Sequence, residues 1–242
     1  MPAQYVSKLL FDDAGDTPSY LDDLPVIRHL RRAGELAFTK NVTFFAGENG
    51  SGKSTLLEAI AVACGFNAEG GTRNFRFTTR ATHSALWRQI RVIRRDYAPD
   101  GFFLRAESLY NTASYIDEVQ AVGSYGGISL HDQSHGESFL AIVENRFHPG
   151  GLYLLDEPEA ALSPMRQLTF LAELHELAKT GAQFLIATHS PILMACPDAE
   201  ILFFSEDGIS PIPYRDTPHY RLTRQFLENP DRMLHYLLDD PD

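Results

Sequence analysis

Residues 41–64 run Asn41-Val42-Thr43-Phe44-Phe45-Ala46, then Gly47-Glu48-Asn49-Gly50-Ser51-Gly52-Lys53-Ser54-Thr55, then Leu56-Leu57-Glu58-Ala59-Ile60-Ala61-Val62-Ala63-Cys64. The first six read as a strand carrying Val42, Phe44 and Phe45. From about Gly52 to Cys64 the pattern is a helix, with Leu56, Leu57, Ile60 and Val62 as its apolar positions. The turn between them matches G-x-x-x-x-G-K-[ST] from Gly47 to Ser54. Glycines let the backbone curl so that its N–H groups converge on an anion, and the helix adds the positive end of its dipole. Lys53 then reaches the β- and γ-phosphates of a nucleotide, and the Ser54 hydroxyl reaches Mg²⁺. Gly47, Glu48, Asn49, Gly50, Ser51, Gly52, Lys53, Ser54 and Thr55 are the candidate cofactor-binding residues, with ATP and Mg²⁺ as the expected cofactors.

A second stretch supplies acids. Leu152-Tyr153-Leu154-Leu155 is a continuous apolar run that ends in Asp156-Glu157. Such a run is expected for a buried parallel strand, and ligands of open α/β sheets bind at the carboxyl ends of the strands. Asp156 is the candidate metal ligand beside Ser54. Glu157 is the candidate catalytic carboxylate, accepting a proton from the attacking water or orienting it. Phe184 to Ala187 repeats the pattern and ends in Thr188-His189-Ser190-Pro191, which puts His189 on the same edge.

The rest of the chain is read around these motifs. Tyr5 to Phe11 reads as an edge strand and Glu35 to Phe38 as another strand, within an acidic, turn-rich opening that holds Asp12-Asp13, Asp22-Asp23, Pro18 and Pro25. Gly101 to Ala106 reads as a strand, Ser108 to Val119 and Gly136 to Phe147 as helices, and Ser163-Pro164 opens a helix to about Lys179. A hairpin turns around Asp207-Gly208, and the tail forms one or two short helices. Strands alternating with helices predict an α/β fold of the P-loop NTPase type with a mostly parallel sheet. The expected organisation is a single domain over 1–242, with an N-terminal antiparallel β portion, a small helical insert over about 65–135 and a helical tail over 215–242.

Lys and Arg number 21 and Asp and Glu 32 in 242 residues, a net charge of −11. As a whole, the chain is a poor electrostatic match for nucleic acid or an anionic membrane. Its two cysteines, Cys64 and Cys196, have no metal-ligand spacing and suit a reducing compartment. The first residues lack a signal-peptide pattern, and no apolar run reaches membrane-spanning length. A cytoplasmic location is expected.

With these motifs in order, the sequence resembles the ABC-type ATPases. Within them it is most similar to the SMC, Rad50, RecF and OLD-like branch and its small AAA-family relatives. The resemblance spans about residues 35–205. Gly47 to Ser54 is similar to the family's Walker A motif, and Leu152 to Pro158 to its Walker B motif with the catalytic glutamate. His189 matches its switch histidine. Gln133-Ser134-His135-Gly136-Glu137-Ser138 resembles the signature, with Ser134 and Gly136 retained, Gln133 in place of the usual Leu, and His135 in place of the first Gly. Ser163 stands where the family often has an aspartate. Gln89, 36 residues after Lys53, is spaced like the family's glutamine, and Phe11 and Tyr5 are candidates for the aromatic that stacks on adenine. The resemblance implies Mg²⁺-dependent ATP hydrolysis and a homodimer formed on ATP binding. One chain gives the phosphate loop and the other gives Ser134. Only 79 residues separate Ser54 from Ser134, without sustained heptads, so a coiled-coil arm is excluded.

Arg73, Arg76, Arg80, Arg88, Arg91, Arg94 and Arg95 fall within 23 residues that hold no acid. Arg73–Arg95 reads as a docking surface for nucleic acid or an acidic protein partner, with Trp87 and Phe75 available to stack on bases. The bland reading is a solvated helix face paired with the chain's own acids. Two other functions compete with the ATP-driven switch, whose setting would be DNA maintenance or phage defence. One is the nucleotide-binding subunit of a membrane transporter, which the altered signature disfavours, so a membrane partner is not expected. The other is a non-hydrolysing ATP sensor, which the Asp156-Glu157 pair disfavours.

Overall fold

In chain order, the computed structural model forms β1 (Val6–Phe11), α1 (Ser19–Asp22), α2 (Pro25–Ala33), β2 (Glu35–Ala37), β3 (Val42–Gly47), α3 (Lys53–Ala63), β4 (Ile90–Arg94), β5 (Gly101–Arg105), α4 (Leu109–Glu118), α5 (His135–Arg146), β6 (Leu152–Asp156), α6 (Pro164–Lys179), β7 (Gln183–Ala187), β8 (Glu200–Ser205), β9 (Gly208–Pro211), α7 (Pro218–Glu228) and α8 (Pro230–Leu238). The residues described are 4–12, 19–75 and 84–238.

The larger sheet has the order β5-β6-β7-β3-β8-β9. Its first five strands are mutually parallel, and β9 returns antiparallel to β8. Phe44, Tyr153, Leu155, Phe184 and Ile186 face α4, α5 and α6. Phe45, Leu154, Leu185, Ala187 and Leu202 face α2, α3 and the smaller sheet. Both faces of the sheet are covered, so alternate residues are equally apolar and the strands appear as unbroken hydrophobic runs. Order β7-β3-β8 places the carboxyl ends of β3, β6 and β7 together on one edge, which is where the loop Gly47–Ser54, Asp156 and His189 sit.

The smaller sheet is antiparallel, in the order β2-β1-β4. Strand β1 is therefore its centre and not the expected edge. Its register shifts between Val6 and Lys8. There the side chain of buried Gln183 takes over the pairing: its Oε1 accepts from Val6 N and its Nε2 donates to Val6 O, both at 2.8 Å. One amide thus joins the two sheets.

Two further expectations change. The opening 34 residues are not only turns, because they contain α2, which has Pro25 in its first turn and Gly34 at its end with φ 72°. Val26, Ile27 and Leu30 are its buried side chains. The segment 65–135 is not uniformly helical. It contributes β4 to the small sheet and β5 to the edge of the large one, and only its later part, with α4, is helical. No helix among the described residues is long and apolar enough to cross a membrane.

Candidate functional site

The loop between β3 and α3 is shaped by what lies behind it. A Cβ on Gly47 would fall 2.2 Å from the Phe204 carbonyl oxygen of neighbouring β8. At Gly52, φ is 96° and a Cβ would fall 2.3 Å from Val26 Cγ1 on α2. Both positions require glycine, one through close approach of a strand and the other through a left-handed backbone as well. Lys53 is 4 % exposed. Its Nζ donates to the carbonyls of Gly47 and Glu48, both at 2.8 Å, so the ammonium lies inside the curl of the loop. Burial lowers its pKa, opposed by the charges of Glu157, Asp156, Glu159 and Glu48.

Ser54 begins the same helix, and its hydroxyl donates to Asp156 Oδ1 at 2.8 Å. Asp156 is buried, with Arg105 Nε 3.5 Å from its other oxygen. Burial pushes its pKa up to about 6, against the Ser54 hydrogen bond and the Arg105 charge. Arg105 is itself held by Glu58 at 2.7 Å. A hydroxyl and a carboxylate in contact form a hard oxygen pair that fits Mg²⁺, an ion held through one or two protein oxygens and completed by water and phosphate oxygens. Among the described residues, no group of three or more His, Cys, Asp or Glu is arranged to hold a metal.

Glu157 follows in a left-handed conformation, φ 50° and ψ 52°, with its N–H donating to Ala187 O at 2.9 Å. A non-glycine residue there carries strain of the kind that clusters at functional sites. Its Oε1 lies 3.9 Å from His189 Nε2. Burial, then the Lys53 charge, lowers the His189 pKa, so the ring is neutral at pH 7. Two residues that the sequence motifs did not single out hold this histidine. Glu159 accepts from Thr188 Oγ1 at 2.7 Å and from His189 N at 2.5 Å, and burial raises its pKa. His219, on the first turn of α7, places its Nε2 3.1 Å from His189 Nδ1. The second acid of the Glu157-Pro158-Glu159 run was a usable signal for the first. Nothing local marks the second, which is 30 residues away in sequence.

Ser134 and Gly136 lie elsewhere, at the start of α5. Ser134 caps the helix with Glu137, whose Oε2 accepts from the Ser134 hydroxyl at 2.6 Å and from its N–H at 2.9 Å. Arg166 on α6 donates to both side chains, each at 3.0 Å. These bonds, those from Ser134 first, lower the Glu137 pKa. A Cβ on Gly136 would fall 2.4 Å from Arg166 Nη1 and 3.1 Å from Ala161 O. Among the described residues, no hydrogen bond or ion pair joins this cap to the loop Gly47–Thr55. The candidate residues therefore form two groups: the loop with Asp156, Glu157 and His189, and the α5 cap.

A family model described as an AAA domain matches residues 27–100. Another, described as an AAA domain and candidate AbiEii toxin of type IV TA systems, matches residues 138–195. The two models meet this chain on its phosphate loop and on its Asp156, Glu157 and His189 edge. The chain belongs to the ABC-type P-loop ATPases. The ATPase is 32% identical over 181 residues to the hemin import ATP-binding protein HmuV of Pseudomonas aeruginosa, covering 62% of this chain and 66% of that one. It is 25% identical over 187 residues to the macrolide export ATP-binding/permease protein MacB of Hahella chejuensis, covering 67% of this chain and 27% of that one. The chain thus spans just under two thirds of the first relative and about a quarter of the second. Among solved structures, the SMC head domain from Thermotoga maritima is similar over 87% of this chain and 99% of its own, at 18% identity and a TM-score of 0.44. The cbiO1 protein from Clostridium perfringens is similar over 97% and 99%, at 17% identity and a TM-score of 0.48.

The arginine block of the ATPase is not a helix face. Arg91 and Arg94 lie on β4 and Arg88 in the turn before it, while Arg76 and Arg80 fall outside the described residues. Arg73 donates to Ala98 O at 2.9 Å over the Phe66 ring, and Arg94 donates to Ala63 O at 2.6 Å. The latter caps the last turn of α3. Arg88, Arg91 and Arg95 are exposed. Phe75 packs on Phe102 and Tyr115, so it serves the core and not a base. Gln89 is buried ahead of β4 in the small sheet, and Tyr5 and Phe11 pack into or against the core. None of these three offers an open face at the phosphate loop.

Proposed function

We propose that the chain binds ATP with Mg²⁺ at the Gly47–Thr55 loop and hydrolyses it to ADP and phosphate, and that ATP binding joins two copies head to tail as a conformational switch. The observation that carries this reading is the Ser54–Asp156 hydrogen bond of 2.8 Å beside buried Lys53, with Glu157 and His189 facing each other on the same edge. Lys53 turns from the loop carbonyls to the β- and γ-phosphates. Ser54 and Asp156 hold Mg²⁺, which neutralises developing phosphate charge. The fixed turn at Glu157 aims its carboxylate at the attacking water, as acceptor of its proton. His189 meets the terminal phosphate from the other side. The second copy supplies Ser134 and the backbone at Gly136, which belong to a separate group within one chain.

Phosphate release and nucleotide binding by two variants test this. Lys53→Ala should lose ATP binding or turnover. Glu157→Gln should keep ATP affinity and slow hydrolysis at least about 10²-fold, the scale of a lost general base. Wild-type turnover in Glu157→Gln removes that residue from the chemistry.

The setting proposed for the switch is DNA maintenance or phage defence, the latter in line with the toxin–antitoxin description of the family model on residues 138–195. Arg88, Arg91 and Arg95 are the part of the basic block left for nucleic acid or an acidic protein. Salt-sensitive DNA binding that is lost on their replacement by Glu is the expected result. A second reading, a transporter's nucleotide-binding subunit, is favoured by the import and export names of the two relatives. Co-purification with a membrane protein would select it.

A further inference from the structure

His189 is held at three points, and only one of them bears on its ring. Glu159 fixes the backbone N–H and the adjacent Thr188 hydroxyl. The ring itself meets one hydrogen-bonding partner, His219 Nε2, 3.1 Å from His189 Nδ1, with ring centroids 5.3 Å apart and planes at 63°. His219 does not hang on a loose tail. Thr217, fully buried, caps α7 by accepting from Tyr220 N at 3.2 Å and donates to Tyr214 O at 2.8 Å. Tyr214 in turn donates its hydroxyl to Pro191 O at 2.9 Å, two residues beyond His189. The first turn of α7 is thereby fixed to the loop that carries His189.

We infer that His219 is a positioning residue for His189: its Nε2–H donates to His189 Nδ1 and holds His189 as the Nε2–H tautomer, aimed at the space in front of Glu157. The direction of the bond follows from what the two outer nitrogens face. His189 Nε2 and His219 Nδ1 are both buried and make no hydrogen bond. If His189 donated, its bare Nε2 lone pair would face the Glu157 carboxylate 3.9 Å away. His219 would then carry a buried N–H with no acceptor, and orphaned N–H groups are rarer in proteins than under-satisfied acceptors. With His219 donating, an N–H faces the carboxylate and only an acceptor is left unmet. Burial lowers both pKa values, so neutral rings share one proton across this bond. In a neutral imidazole, the partner of one nitrogen decides the state of the other.

This inference rests on the proposal that His189 meets the terminal phosphate, and two kinds of readout keep the two apart. Nitrogen-15 NMR of the imidazoles at neutral pH, assigned with His189→Gln, reads the tautomer without any turnover. The expected result is a protonated Nε2 and a bare Nδ1 for His189 in the wild type. His219→Ala should lose that single state, and His219→Gln, which keeps a donor at the Nε2 position, should retain it. A protonated Nδ1 on His189 in the wild type overturns the inference. In steady-state ATP hydrolysis, His219→Ala should lower kcat about tenfold and leave KM for ATP within about twofold, with His219→Gln recovering most of the loss. The double variant His189→Ala/His219→Ala should be no slower than His189→Ala alone, because His219 acts only through that ring. Additive losses, or an unchanged kcat in His219→Ala with an active His189, contradict the positioning role. If His189→Ala has wild-type turnover, the proposal for His189 at the phosphate fails, and the NMR result still decides the tautomer.

Discussion

A methyl group added at Gly52 would lie 2.3 Å from Val26 Cγ1, on a backbone with φ 96°. Strain and overpacking together should cost Gly52→Ala about 3 kcal/mol, read as a fall in the urea midpoint. In a Val26→Ala background the clash is gone and only the backbone strain remains, so the added cost should shrink by about 1 kcal/mol or more. The thiols offer a test of burial. Burial pushes Cys196 up to about 12 and raises Cys64 too. The thiolate is the reactive form, so iodoacetamide at about pH 8 should label neither until the chain is unfolded. Unfolded Cys196 ionises near 9, so its contribution to stability is whole below that pH and is lost as the pH rises through about 12. The Gly47–Ser54 loop, Asp156, Glu157 and His189 were legible in sequence because each follows a buried strand directly. Glu159, Arg166 and His219 were not. Their partners are Thr188 and His189, Ser134 and Glu137, and His189, all far along the chain, and no local pattern reports a contact made by tertiary folding.

The strands of the larger sheet were legible for a physical reason: a strand buried on both faces has no polar alternate positions to blur it. Strand β4, with Arg91 and Arg94 among its five residues, has exposed and half-buried positions and was masked by charge. Helix α2 was hidden by the acids and prolines before it, although Pro25 at its start and Gly34 at its end are the usual punctuation of a helix. Strand β1 was placed at an edge because its partners lie 24 and more residues away. Gln183 is the joint between the two sheets. Gln183→Leu should leave the buried N–H and C=O of Val6 unmet and cost about 3 kcal/mol in chemical denaturation. A change below about 0.5 kcal/mol would mean that the β1 start finds other partners.

For the molecule as a whole, the decisive fact is that its site residues form two separate groups. Lys53, Ser54, Asp156, Glu157 and His189 share one edge of the large sheet, while Ser134 and Gly136 cap α5 and are held by Glu137 and Arg166. Two copies set head to tail bring one group of each chain to the other. Lys53→Ala removes the loop charge from its own chain, and Ser134→Arg blocks the cap of its own chain, so each variant alone should be inactive. In a heterodimer, one site combines both lesions, and the other combines the intact loop of the Ser134→Arg chain with the intact cap of the Lys53→Ala chain. Random pairing makes half the dimers mixed, so an equimolar mixture should recover up to about a quarter of wild-type phosphate release. The measurement is phosphate release from that mixture in Mg²⁺ and ATP, with cross-linking to count heterodimers. Recovery well above either variant alone is the result this account predicts. Heterodimers that form and release no more phosphate than the separate variants would contradict it.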